Sequence, residues 1–158
     1  PYNIAELMLC GIDRSKYKKI DVICGRYNAN YNDLVVRYRN ESNVSIHRNV
    51  SNMEDYMTNA DIAISAGGTT LYELCACGTP AISYTFADNQ MGNAIQFDEE
   101  GMILYAGDFR KDDAVDSIRS LLEDMKNDYE LRQHYSVRMK QFVDGKGAGR
   151  LAKILKTI

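Results

Sequence analysis

The feature that most constrains this chain is the stretch 61–74, DIAISAGGTTLYEL. Ile62, Ala63 and Ile64 form a short apolar run of the kind that makes a strand buried on both faces. Gly67 and Gly68 interrupt it, and Leu71 and Leu74 then return at helical spacing. A helix start leaves its first amide N–H groups without partners and carries a partial positive charge, and glycines there let an anion reach the backbone. Gly67, Gly68, Thr69 and Thr70 therefore offer two or three N–H groups and two hydroxyls to a diphosphate. The same residues also make a tight turn in which Thr70 caps the helix and Glu73 completes a Thr-x-x-Glu capping box. No Lys follows the glycines, which excludes a Walker loop, and the Gly-x-Gly-x-x-Gly spacing of dinucleotide sites is absent.

The flanking sequence repeats this unit. A helix is expected over 2–11, with Pro1 in its first turn and Gly11 at its stop, then a strand over 18–24. A helix over 31–40 places Leu34, Val35 and Tyr38 on one face, and a strand follows over 44–47. Ser51-x-x-Glu54 has the form of a capping box and opens a short helix through Met57. After the central strand at 61–65 and its helix at 69–77, Gly78, Thr79 and Pro80 launch another strand at 81–84. A helix starting near Asn89 and Gln90 runs to about Gly101, and a strand is expected over 102–105. From Asp112 onward the pattern is helical over 115–122, 131–142 and 151–155, with Gly145, Gly147 and Gly149 separating the last two. Alternating strands and helices joined by short loops specify an α/β fold, a Rossmann-like parallel sheet with helices on both faces, in one domain. Ligands of such sheets lie beyond the carboxyl ends of the strands, the edge where Gly25, His47, Gly67, Thr85 and Ala106 fall, so one crevice can gather them.

Composition removes several function classes. With 19 basic against 22 acidic residues there is no basic stripe, so a nucleic acid is not the expected partner. No apolar run approaches the roughly 18 residues of a membrane span and no signal-like start is visible, which makes a cytoplasmic location the expectation. Cys10, Cys24, Cys75 and Cys77 sit in apparent core elements, as reduced cysteines do. Cys75 and Cys77 point roughly 200° apart on a helix, and no His stands near them, so no metal is expected. Nothing in the sequence calls for a cofactor.

The remaining candidates are polar side chains at the ligand edge. Glu73, one turn into its helix, can accept hydrogen bonds from both hydroxyls of a ribose whose phosphates sit on the helix start; a first-turn Glu also simply suits the helix dipole. Asn89 and Gln90 offer amides to sugar hydroxyls, while as an N-cap Asn89 needs no ligand. His47 is either a proton donor or a structural strand-end histidine, and Asp88 is either the carboxylate nearest the sugar or a loop residue. Met53 and Tyr56 either flank a base or pack an amphipathic helix.

Several stretches together carry a resemblance. They are Ile46-His47-Arg48-Asn49-Val50, the run 53–57, the run 60–74, Gly78-Thr79-Pro80, Asp88-Asn89-Gln90 and, near the end, Asp144-Gly145-Lys146-Gly147-Ala148. The chain resembles the carboxyl-terminal domain of GT-B-fold nucleotide-sugar enzymes of the glycosyltransferase family 28 group. Within that group it is most similar to the UDP-sugar hydrolases of pseudaminic acid biosynthesis and their spore-coat polysaccharide relatives. The resemblance implies UDP with its uracil against Arg48, Asn49 and Val50, its ribose on Glu73 and its diphosphate on Gly67, Gly68, Thr69 and Thr70, with the sugar toward Asn89 and Gln90. It also implies a two-domain protein whose catalytic residues come largely from an amino-terminal domain, with a strand and a Gly-rich turn ahead of Pro1. The expectation is a donor-binding half, inactive alone, whose partners are a UDP-sugar and that amino-terminal domain, with a homodimer through the exposed domain face as a further outcome. Three functions compete: hydrolysis of a UDP-sugar to UDP and free sugar, glycosyl transfer from the same donor, and a non-catalytic nucleotide-binding subunit that works with a separate chain.

Overall fold

A computed structural model describes residues 3–111 and 113–157. Pro1, Tyr2 and Asp112, which figured in the expected helix starts, lie outside the described residues. The chain divides into two compact units, residues 1–56 and 57–158.

In the first unit, α1 (Ile4–Gly11) leads through a 3₁₀ turn (Arg14–Lys16) to β1 (Ile20–Cys24), then α2 (Tyr31–Tyr38) and β2 (Val44–Arg48). Asn3 caps α1 by accepting from the Glu6 amide, and its side-chain Nδ2 donates to the Glu6 carboxylate at 2.8 Å, a cap not anticipated from the sequence. β1 and β2 pair in parallel, with Ile20 opposite Val44 and Cys24 opposite Arg48. Leu9, Leu34 and Tyr38 pack with Cys24 and Val44, backed by Ile20, Val22 and Ile46, so α1 and α2 cover one face of this ladder. Val35, expected on that buried face, points outward, because 3.6-residue periodicity puts Leu34 and Tyr38, four apart, over the strands. Cys10 is also exposed, its thiol 3.5 Å from the Tyr38 hydroxyl.

The division between units falls within α3 (Met53–Asn59). It starts one residue later than the Ser51 box would place it: Asn52 precedes it and donates to the Asp55 carboxylate at 2.8 Å. The second unit holds β3 (Ala63–Ala66), α4 (Thr70–Cys77), β4 (Ala81–Thr85), α5 (Asp88–Glu99), β5 (Leu104–Asp108), α6 (Ala114–Asn127), α7 (Tyr129–Phe142) and α8 (Gly147–Leu155). Its sheet is parallel in the order β3-β4-β5. The fold class is α/β, parallel sheets flanked by helices. Among the described residues the parallel ladders are β1-β2 in the first unit and β3-β4-β5 in the second. Alternation of strands and helices specifies parallel pairing but not which strands are neighbours.

Two backbone features shape the second unit. Gly78 ends α4 in the left-handed conformation (φ 69°), with its amide on Cys75 O and the Thr79 amide on Leu74 O, the paired closure of a Schellman motif. In β5 the register slips: Ser83 faces Tyr105 but Thr85 faces Asp108, so β5 holds one extra residue, and Gly107 (φ 108°) supplies the conformation that this bulge needs. The strand accordingly runs to Asp108 rather than ending at Tyr105, and the apolar Met102 and Ile103 are buried ahead of it. Gly147 and Gly149, expected to break the last helices, lie inside α8.

Candidate functional site

The turn between β3 and α4 begins with two glycines in opposite situations. Gly67 is buried; its amide donates to Tyr84 O at 2.8 Å, and a Cβ there would stand 2.8 Å from the Ala94 Cβ and 3.1 Å from both Gln90 O and the Thr85 methyl. It is a glycine because α5 passes against it. Gly68 has open space where a Cβ would be, and its amide is turned back onto Ala66 O at 2.7 Å. The donors left are further along. Leu71 and Tyr72 amides close onto Gly68 O and Thr69 O, whereas the amides of Thr69 and Thr70 have no partner among the described residues.

The cap of α4 is Thr69, not Thr70, and its hydroxyl makes no capping bond. The Thr-x-x-Glu box weighed from the sequence is therefore not formed, since with Thr69 at the cap the third helical residue is Tyr72. Thr69, Thr70 and Glu73 are spaced three and four apart and share one helix face, and the exposed Glu73 carboxylate has no partner among the described residues. Two bare amides, two hydroxyls and one carboxylate thus stand together at the carboxyl end of β3.

The start of α5 is held from the other side of β4. Asp88 is the first residue of that helix and Ala87 its cap, so Asn89 does not act as N-cap. Arg110, just past β5, donates from Nη2 to Asp88 at 2.8 Å and to Asp108 at 2.8 Å, and from Nε to both Asp108 oxygens. Asp108 is buried while Asp88 is exposed. The Arg110 guanidinium and amide hold the Asp108 carboxyl down to about 2. A carboxylate depressed on folding contributes stability above its ordinary value near 4 that is lost as the pH falls through the folded one. The urea midpoint gap between wild type and Asp108→Asn is expected to be widest above about pH 4 and to close toward about pH 2. A gap that does not change over that range would contradict the assignment. Gln90 turns its Oε1 to the Phe86 amide at 3.1 Å, leaving its NH₂ group for other use, and Asn89 is exposed without a partner among the described residues.

In the first unit, the Arg48 fork donates twice to Arg26 O, at 3.1 and 2.8 Å, and lies over the Tyr31 ring, 5.1 Å from its centroid. Its guanidinium braces the loop after β1. Asn49 is the one non-glycine residue with positive φ (51°) among the described residues, and its amide returns to Cys24 O at 2.9 Å. Val50 is half-buried. His47 has Nε2 on Asp21 at 2.8 Å and Nδ1 on the Tyr56 hydroxyl at 3.3 Å, which is satisfied when the phenol donates to Nδ1 and Nε2–H donates to the carboxylate. Burial pushes the Asp21 carboxyl up, but the bonds from Lys19 and His47 outweigh it and the net shift is downward. Both ring nitrogens of His47 are thus engaged, the pattern of a structural histidine, and Tyr56 packs on its ring at 4.9 Å.

Two residues that no sequence signal marked complete the corner in the second unit. Asn93 on α5 donates to Gly68 O at 3.2 Å and to Gly67 O at 3.5 Å, and accepts from the Tyr72 hydroxyl at 3.3 Å. Arg110 is the other. Both act between elements, so neither has a local pattern.

Among known proteins, the glycosyltransferase family 28 C-terminal domain matches residues 3–146 of this chain. The chain belongs to that family. A curated relative of this family 28 chain, the uncharacterized protein MJ1062 of Methanocaldococcus jannaschii, is 30% identical over 66 residues, 40% of the chain and 14% of the relative. Among solved structures, the glycotransferase of kitacinnamycin superposes with TM-score 0.62 at 15% identity, over 89% of this chain and 43% of that one. Spinosyn forosaminyltransferase SpnP gives TM-score 0.66 at 16% identity, over 98% and 38%. At such identities the likeness is one of fold. The family 28 domain here spans less than half the length of these proteins. No helix among its described residues is long and apolar enough to cross a membrane.

Proposed function

We propose that this family 28 domain binds the nucleotide-sugar donor, a UDP-sugar, of a two-domain glycosyltransferase whose other domain supplies the acceptor site and most of the catalytic groups. The observation that carries this is the pair of bare amides at Thr69 and Thr70 beside the unpartnered carboxylate of Glu73. On this reading the diphosphate takes the Thr69 and Thr70 amides and hydroxyls with Gly68 giving clearance, and the ribose hydroxyls take Glu73. The sugar is met by Asn89 and the free amide of Gln90. The departing group of the reaction is then the diphosphate, and helix-start amides stabilise the charge that grows on it. Uncapped donors suit that role because they need not leave another partner first.

A second reading, hydrolysis of the same donor, rests on the likeness of the segment Asp144-Gly145-Lys146-Gly147-Ala148 to that of the UDP-sugar hydrolases. Family membership favours transfer. The two separate on product: a protein carrying both domains, given a UDP-sugar without acceptor, yields UDP and free sugar only if water is the acceptor.

Binding is tested first. Calorimetry is expected to show UDP binding to the domain, with Glu73→Ala costing about 1–3 kcal/mol, the loss of hydrogen bonds to a charged group. Equal UDP affinity in the variant would remove Glu73 from the ribose.

A further inference from the structure

We infer that Asn93 is a positioning residue for the phosphate end of the donor, acting through the Gly68 carbonyl, and that Tyr72 sets its amide. The inference rests on the proposed phosphate seat at Thr69 and Thr70.

A trans peptide is planar, so the C=O of one residue and the N–H of the next point in opposite directions. Gly68 C=O and Thr69 N–H belong to one such plane. Asn93 holds the carbonyl from the α5 side at 3.2 Å, with the Leu71 amide on the same oxygen at 3.2 Å. The Thr69 N–H is therefore turned away from α5. The preceding peptide is gripped as well, through Gly67 O at 3.5 Å.

Both carbonyls can only accept, so the Asn93 side chain must present its NH₂ to them and its oxygen elsewhere. The Tyr72 hydroxyl meets that oxygen at 3.3 Å and fixes the same orientation. Tyr72 is itself seated edge-on against the buried Phe97 ring, with centroids 4.9 Å apart. A chain of contacts thus runs from Phe97 in the core through Tyr72 and Asn93 to the peptide that aims a donor at solvent. Without it the Gly68 carbonyl keeps only the Leu71 amide, and the Gly68-Thr69 peptide, flanked by a residue with no side chain, is held less firmly. A diphosphate would then have to order it on binding, which costs affinity.

The role separates from a merely structural one by ligand. Phosphate-bearing ligands use the Thr69 amide, and uridine does not. The experiment measures UDP and uridine affinities for wild type, Asn93→Ala and Tyr72→Phe, with thermal melts in parallel. Asn93→Ala is expected to weaken UDP about tenfold while leaving uridine within about twofold. Tyr72→Phe, which keeps the ring on Phe97 and removes only the hydroxyl, is expected to show the same selective loss at about threefold. It decides the matter if the alanine variant does not fold. UDP affinity unchanged in Tyr72→Phe and in any folded Asn93→Ala, or UDP and uridine weakened in equal proportion, would overturn the inference while leaving the seat intact. Wild type that binds uridine and UDP equally well would instead overturn the phosphate seat, and the inference with it.

Discussion

Gly67→Ala is expected to lose about 1–3 kcal/mol of stability and most of the UDP affinity, although it adds a single methyl group. That methyl would meet the Ala94 Cβ at 2.8 Å, closer than carbon atoms pack, with the Gln90 carbonyl and the Thr85 methyl both at 3.1 Å. None of the three is the loose end of a flexible side chain: one belongs to the α5 backbone, one to a buried alanine on α5 and one to the adjacent strand β4. The strain is relieved by moving α5 away from the corner, and α5 carries Asn93, Asn89 and Gln90. Gly68→Ala is the built-in control for stability alone, because its methyl enters open space within the protein. Urea melts on both variants, with a UDP titration of Gly67→Ala, check this. Comparable stability losses would show that the corner is not held by close passage of α5.

Phe97→Ala is expected to cost about 3–5 kcal/mol, the range for deleting a buried aromatic side chain. Phe97 is 2% exposed and meets Tyr72 edge-on at 4.9 Å and Phe142 at 5.8 Å, so α4 and α7 both rest on it. Against a typical total of about 5–15 kcal/mol, that is about a fifth of the stability or more. The consequence reaches the site, because the ring is what seats Tyr72. Where the variant stays folded at low temperature, UDP affinity is expected to fall as well, more than uridine affinity does. A urea midpoint close to wild type would mean that the ring's place is refilled by its neighbours.

Much of the architecture was legible in the sequence, for a physical reason. The apolar runs around Val22, Ile46, Ile64 and Ile82 are each short, rich in β-branched residues and bounded by turn formers, and each is a parallel strand. Leu71 and Leu74 at helical spacing after Gly67 and Gly68 located α4 to within one residue, and with it the corner. What stayed hidden depends on partners distant in sequence. A capping residue is fixed by which amide is bonded back, so Thr69 and Thr70 could not be ordered by composition. Asn93 and Arg110 look like ordinary surface residues until the elements they bridge are in place. The glycines of α8 read as breaks because each costs a helix about 1 kcal/mol, an expense that this exposed helix tolerates. Which strands pair within each unit has no local signal.

The bulge in β5 has a consequence for everything downstream of it. Side chains along a strand alternate between faces, so a single inserted position inverts the parity of all that follow. With Gly107 counted in, Asp108 shares a face with Thr85 and Tyr105, where the Thr85 and Tyr105 hydroxyls meet at 2.8 Å. In an unbroken ladder Thr85 would sit opposite Gly107, and Asp108 would project to the reverse side, beyond the grip that Arg110 keeps on it and on Asp88. One residue without a side chain thus determines on which side of the sheet the anchor of the α5 entrance is made.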